Sequence, residues 1–159
     1  MRHRREGFSL MELMVVLLVL GILFAISIPA IKAYTTDASF GSAVEQVTSH
    51  LRLARFKSIS QHANVIVRFS WTAGSYTLHT DTNGNGVRDS GEPVRGPFAM
   101  PLNVTIANAS SGGIAGDTLV FHPDGSLLAA GALVVRSPAP ANRMKTITLM
   151  RSTGEAWVQ

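Results

Sequence analysis

From Leu13 to Ile31 the chain runs for 19 residues without a charge, between Glu12 and Lys32, and the run is rich in Leu, Val and Ile. About 20 apolar residues in a helix span the hydrocarbon core of a bilayer. The run therefore predicts a membrane-spanning helix near the start of a 159-residue chain, a length that leaves room for one compact domain after it. Arg2, Arg4 and Arg5 precede the run and place its start on the cytoplasmic side, with everything after Lys32 outside the inner membrane. The expected location is a bacterial inner membrane, crossed once, with the C-terminal part in the periplasm.

A cleaved secretory signal is the alternative, since Ala25, Ser27 and Ala30 offer small residues near a cleavage site. Glu12 argues against it. A carboxylate at the centre of a membrane helix costs about 2.5 to 3.5 kcal/mol, less near an end, and a signal core gains nothing from one. An acid in that position calls for a partner.

Charge and composition narrow the functions further. The formal charge is +4, but residues 1–7 hold +2 of it, so the remainder is only weakly basic and gives poor support for nucleic acid as a partner. The absence of cysteine excludes disulfides, thiolate zinc sites and cysteine nucleophiles. Five histidines show no metal-ligand spacing and no serine lies in a nucleophile-elbow context, so no enzymatic activity is expected.

The residues flanking the run, Gly7-Phe8-Ser9-Leu10-Met11-Glu12-Leu13, resemble the processing motif of type IV prepilins and type II secretion pseudopilins. The resemblance implies cleavage after Gly7 by a prepilin peptidase and N-methylation of Phe8, the first residue of the processed chain. It implies assembly with other pilins or pseudopilins through the helix, with Glu12 at the fifth processed position and a helix-bending Pro29 at the twenty-second. The physics is compatible: an amine on Phe8 of one subunit is a natural partner for the Glu12 carboxylate of a neighbour, because a paired charge in an apolar medium costs far less than a lone one. A purely local role, an anion favoured by the dipole of its own first helical turn, is the competing reading of Glu12. Pro29 removes a backbone hydrogen bond and is expected to kink or locally melt the helix, which neighbouring helices tolerate.

Beyond Tyr34 the residues Phe40, Val44, Val47, Leu51 and Ala54 recur at intervals of four and three, predicting the lower half of the same helix to about Gln61, with an apolar stripe and Glu45, Arg52 and Lys57 off it. The period then changes to two. Val65, Val67 and Phe69 alternate with Asn64, Ile66 and Arg68, and a Gly74-Ser75 turn leads into Tyr76-Thr77-Leu78, which together read as a hairpin. Further strands are read at residues 102–106, 119–121, 133–136, 146–150 and 156–158, with the stretches 110–113 and 137–142 as loops. The fold expected is α+β and pilin-like, a long N-terminal helix whose first half is transmembrane, packed on antiparallel sheet of about seven short strands. Its divisions are a leader at 1–7, a transmembrane and assembly helix at 8–32 and a globular domain at 33–159.

Within the pilin class the globular part is similar to the GspH/FimT group, through the Leu53-Ala54-Arg55 and Val65-Ile66-Val67 region, the loop at 81–86, the Phe121-His122-Pro123-Asp124-Gly125 turn and a final strand with a Gly154 turn. That implies a minor pseudopilin of the type II secretion pseudopilus, with a FimT-like minor pilin of a type IV pilus as the alternative and a membrane-anchored binding module that never polymerises as a third reading. Some FimT-type members bind DNA through a terminal Gly-Arg-x-Arg pattern. Here Gly154-Glu155-Ala156-Trp157 stands in its place, and Arg143, Lys145 and Arg151 are scattered.

No cofactor is required by this reading. Residues 81–92 nevertheless place Asp81, Asn83, Asn85, Asp89 and Glu92 at positions 1, 3, 5, 9 and 12 of a calcium loop, with Gly86 at 6 and the Val87 carbonyl at 7. Asn-Gly repeats are also hairpin turns, and the flanks read as strands rather than EF-hand helices. Calcium loop and plain turn both stand as readings.

Overall fold

The computed structural model describes residues 9–101, 103–138 and 142–159. Gly7 and Phe8, the leader, Leu102 and residues 139–141 lie outside the described residues. The chain forms two compact units that divide after Thr35. The division falls within one helix, α1, assigned over Leu10–Gln61.

In the first unit α1 is apolar over its whole circumference, and no side chain from Ser9 to Ile28 is buried. The hydroxyl of Ser27, the one polar side chain in that stretch after Glu12, donates to the Leu23 carbonyl at 2.8 Å and so satisfies itself within the helix. The helical assignment continues through position 29. Of the two outcomes expected there, a kink or a local melting, the continuous helical assignment excludes the melting.

In the second unit, α1 from Thr36 onward buries the predicted stripe: Phe40, Val47, Leu51 and Ala54 are nearly inaccessible, joined by Ala43 and Ser58, while Val44 lies at its margin. Eight strands follow: β1 (Asn64–Ser70), β2 (Ser75–Asp81), β3 (Val94–Ala99), β4 (Thr105–Asn108), β5 (Thr118–Phe121), β6 (Gly131–Arg136), β7 (Met144–Leu149) and β8 (Ala156–Val158). They form two antiparallel four-stranded sheets, ordered β3-β2-β1-β5 and β4-β6-β7-β8. Val65, Val67, Phe69, Tyr76, Leu78, Leu119 and Phe121 from the first sheet, and Ile106, Leu133, Val135, Ile147 and Leu149 from the second, close one core with the α1 stripe.

Three expectations need correction. The eighth strand, β3, is absent from the strands read in the sequence, where Gly96 and Pro97 interrupt any alternation; it pairs only with β2, and an edge strand tolerates a residue that has no amide to donate. The strand expected at 102–106 is observed at 105–108, since Asn103 takes a positive φ of 64° and the Val104 amide closes a turn onto Pro101 before pairing with β6 begins. Ile66, assigned to the polar side of the alternation, is buried on the face away from the main core, opposite His79 and Val120.

Candidate assembly segment and head loops

The start of α1 is built by a short local motif. Ser9 precedes the first helical residue, its Oγ accepts the Glu12 amide at 3.2 Å, and its carbonyl accepts the amides of Glu12 at 3.1 Å and Leu13 at 3.2 Å. Ser9 is thus the cap of the helix, and Ser-x-x-Glu is the sequence signature of a capping box that the reading of Glu12 alone overlooked. The amide of Glu12 is capped. Among the described residues, its carboxylate has no hydrogen-bond or ion-pair partner. The helix dipole favours the anion in this first turn without supplying a contact. What the segment presents is a fully exposed apolar cylinder with one unpaired acid at its head, a surface suited to lipid or to packing against other helices.

In the second unit the residues of the candidate calcium loop come together at the end of β2. Asp81 is buried, its Oδ1 accepts the amides of Gly84 at 2.8 Å and Asn85 at 3.2 Å, and its Oδ2 accepts that of Gly86 at 2.9 Å. Asp89 Oδ2 accepts both side-chain amides, from Asn83 at 2.7 Å and Asn85 at 2.6 Å. These two bonds hold the Asp89 carboxyl below the usual carboxylate range. Glu92 is shifted the same way, first by the Asp89 amide at 3.0 Å, and it also accepts the Thr82 amide at 2.8 Å. Asn83 and Asn85 Oδ1 accept the amides of Asn85 and Val87. The donor oxygens therefore share one loop and already bind its amides. Among the described residues no three His, Cys, Asp or Glu side chains converge on one point.

Two histidines of the second unit are held below their ordinary pKa by the fold. His50, on α1, meets the Tyr76 hydroxyl at 2.7 Å through Nδ1 and packs on Phe98 with ring centroids 4.1 Å apart. Burial pushes the Tyr76 hydroxyl up to about 12, so it stays protonated, and the imidazole tautomer sets which of the two groups donates. Burial, and then the Arg95 charge, hold His50 below its ordinary value. His79 is buried with Nε2 unpartnered, and burial lowers its pKa first, assisted by Arg68 and Arg88 and opposed by Glu92 and Asp81. A histidine depressed in the fold favours the folded state fully above its unfolded pKa near 6.5, and that stabilisation is lost as pH falls toward the folded value. The thermal midpoint is expected to drop between about pH 7.5 and 5.5, and His79→Gln to flatten the slope; an unchanged slope in the variant would remove His79 from this account.

Arg143 was read from sequence as one of three scattered cations. It pairs with Asp37 of α1 at 2.8 Å, a contact across 106 positions that no local pattern announces.

Comparison with known proteins agrees with this geometry. Residues 43–153 match the profile of the family described as type II transport protein GspH, and residues 2–28 match the prokaryotic N-terminal methylation motif. The pilin-like protein PilA1 of Thermus thermophilus is 32% identical over 89 residues, 55% of this chain and 56% of that relative. The chain thus aligns with little more than half the length of that relative. Among solved structures, the type IV minor pilin FimU of Pseudomonas aeruginosa superposes with a TM-score of 0.60 at 14% identity, covering 79% of this chain and 92% of that one. The minor pseudopilin EpsH from the Type 2 Secretion System of Vibrio cholerae superposes with a TM-score of 0.51 at 12% identity, covering 72% and 90%. At those identities the likeness establishes the pilin-like fold.

Proposed function

Because the chain belongs to the GspH family of type II transport proteins and carries the N-terminal methylation motif, we propose that it is a minor pseudopilin, a structural subunit of the type II secretion pseudopilus. The observation that carries this reading is the exposed apolar helix with the unpaired Glu12 carboxylate in its first turn. The subunit anchors in the inner membrane with its second unit in the periplasm. Prepilin peptidase cleaves after Gly7, Phe8 is N-methylated, and the helix is then withdrawn from lipid into a filament of neighbouring helices. The Phe8 amine of one subunit meets Glu12 of another there, so an acid that is costly in lipid becomes a register device in the assembly. The role is mechanical: the subunit helps to complete the pseudopilus that moves folded proteins across the outer membrane.

A type IV pilus is the second reading, supported by the likeness to FimU and PilA1. An in-frame deletion strain separates the two. Loss of proteins from the culture supernatant with intact surface pili is the expected result; loss of pili or of DNA uptake with normal secretion moves the subunit to the pilus. A chain whose intact mass retains Met1 would remove both.

Calcium at residues 81–92 belongs to the proposal as a secondary feature, on the spacing of its oxygen donors. Binding has to displace the Asn83 and Asn85 amides from Asp89, so affinity is weak. Calorimetry on the detergent-solubilised chain is expected to give heat only at millimolar calcium; silence there leaves a turn closed by its own hydrogen bonds.

A further inference from the structure

A groove of about 750 Å³ opens in the second unit where the start of β4 meets the loop between β6 and β7. Its lining combines Arg136, Ser137, Asn142 and Arg143 with the turn at Asn103 and Thr105. Among the described residues no carboxylate lines it, though Asp37 pairs with the Arg143 guanidinium. Two features set it apart from an ordinary basic surface. Ser137 is only 2% exposed, yet its Oγ is buried with no hydrogen-bond partner, a loss that folded proteins normally avoid. Arg143 is fixed rather than loose: one guanidinium nitrogen is held by Asp37 Oδ2 at 2.8 Å, its carbonyl accepts the Ser137 amide at 2.9 Å, and its side chain remains 56% exposed, leaving other N–H groups open.

We propose that this groove is an oxyanion site for a phosphate group, held by the Arg136 and Arg143 guanidinia with the Ser137 hydroxyl as the buried donor. The chemistry follows from the donor set. Guanidinium forks match the paired oxygens of phosphate, and charge-assisted hydrogen bonds to an anion are stronger than those to neutral acceptors. Arg136 ends β6, where it faces Thr105 of β4 and Met144 of β7, so its backbone is fixed by two ladders and only its side chain must order on binding. The Ser137 hydroxyl, which shares the groove lining with both arginines and is otherwise unpaired, gains the acceptor it lacks. Free phosphate and the headgroup phosphate of an anionic lipid present the same oxygens.

The test uses the full chain purified in detergent, with the thermal midpoint measured in sodium phosphate against sodium chloride at matched ionic strength. For a site of about 1 mM affinity, phosphate at about 10 mM is expected to raise the midpoint by roughly 5 °C. Arg136→Gln and Ser137→Ala are each expected to cut that rise by at least about half. Ser137→Ala removes a hydroxyl that has no partner, so the variant folds at least as well as the parent and a lost response cannot be assigned to misfolding. General salting effects of phosphate act on all three proteins alike. Repeating the series in nanodiscs of phosphatidylcholine with and without phosphatidylglycerol separates the sources. A rise produced by phosphatidylglycerol and absent in Arg136→Gln identifies a headgroup; a rise produced by inorganic phosphate alone identifies the free anion. No phosphate-specific rise, or an equal rise in parent and both variants, overturns the site.

Discussion

Glu12→Ala is expected to leave cleavage after Gly7 intact and to reduce incorporation into filaments about 100-fold. The estimate rests on the proposed pairing with the Phe8 amine of a neighbour: removing one partner of a buried ion pair costs about 3 kcal/mol or more, because the other charge stays behind in an apolar medium, and 1.4 kcal/mol is a factor of ten. Helix formation should hardly change, since the cap is Ser9 and the Glu12 backbone amide remains in place. Processing read by intact mass and incorporation read in sheared filament fractions therefore separate. Glu12→Asp, which retains the charge, should recover part of the loss, whereas Glu12→Gln should resemble alanine. Normal incorporation of the alanine variant would show that the acid serves only its own helix end.

The second large effect belongs to the head. Gly154 lies in the turn between β7 and β8, with φ at +64°, its amide donating to the Met150 carbonyl at 2.8 Å. A Cβ there would overlap the carbonyl oxygen of Gly125, which belongs to the turn after β5 in the other sheet, so neither backbone can yield without shifting its strand. Gly74 is the internal comparison, since it has φ at +58° and open space around the missing Cβ. Alanine at Gly74 bears only the left-handed backbone cost of about 1 kcal/mol. Alanine at Gly154 bears that and a backbone clash, together about 3 kcal/mol or more, or a fall of roughly 12 °C or more in thermal midpoint. Equal falls for the two variants would mean that the close approach of the two turns contributes nothing.

The two glycines also mark where local reading stops. Gly74 sits between two alternating segments, and that juxtaposition announced the β1–β2 hairpin that pairs Asn64 with Asp81 through Ser70 with Ser75. Gly154 reads equally well as a turn, but its strict requirement comes from Gly125, a residue that sequence places 29 positions away. The α1 stripe, the hairpin and the short final strand were legible because each is written in a period of 3.6 or 2 within a few residues. The Ser9 cap is also written locally, as Ser-x-x-Glu, although the reading of Glu12 alone overlooked it.

Sequence by itself thus determined the elements with strong local patterns: the apolar segment with its acid, the amphipathic half of the helix, most strands and the turn chemistry of residues 81–92. Only the tertiary structure decided the rest. Pro97 sits in a strand because β3 is an edge, Ile66 is buried on the face of the first sheet turned away from the main core, and Arg143 finds Asp37 although 106 positions separate them. The buried, unpartnered hydroxyl of Ser137 belongs with these. Local patterns record what neighbours along the chain require. A partner brought close by folding leaves no such trace, because its position is set by packing of the whole core.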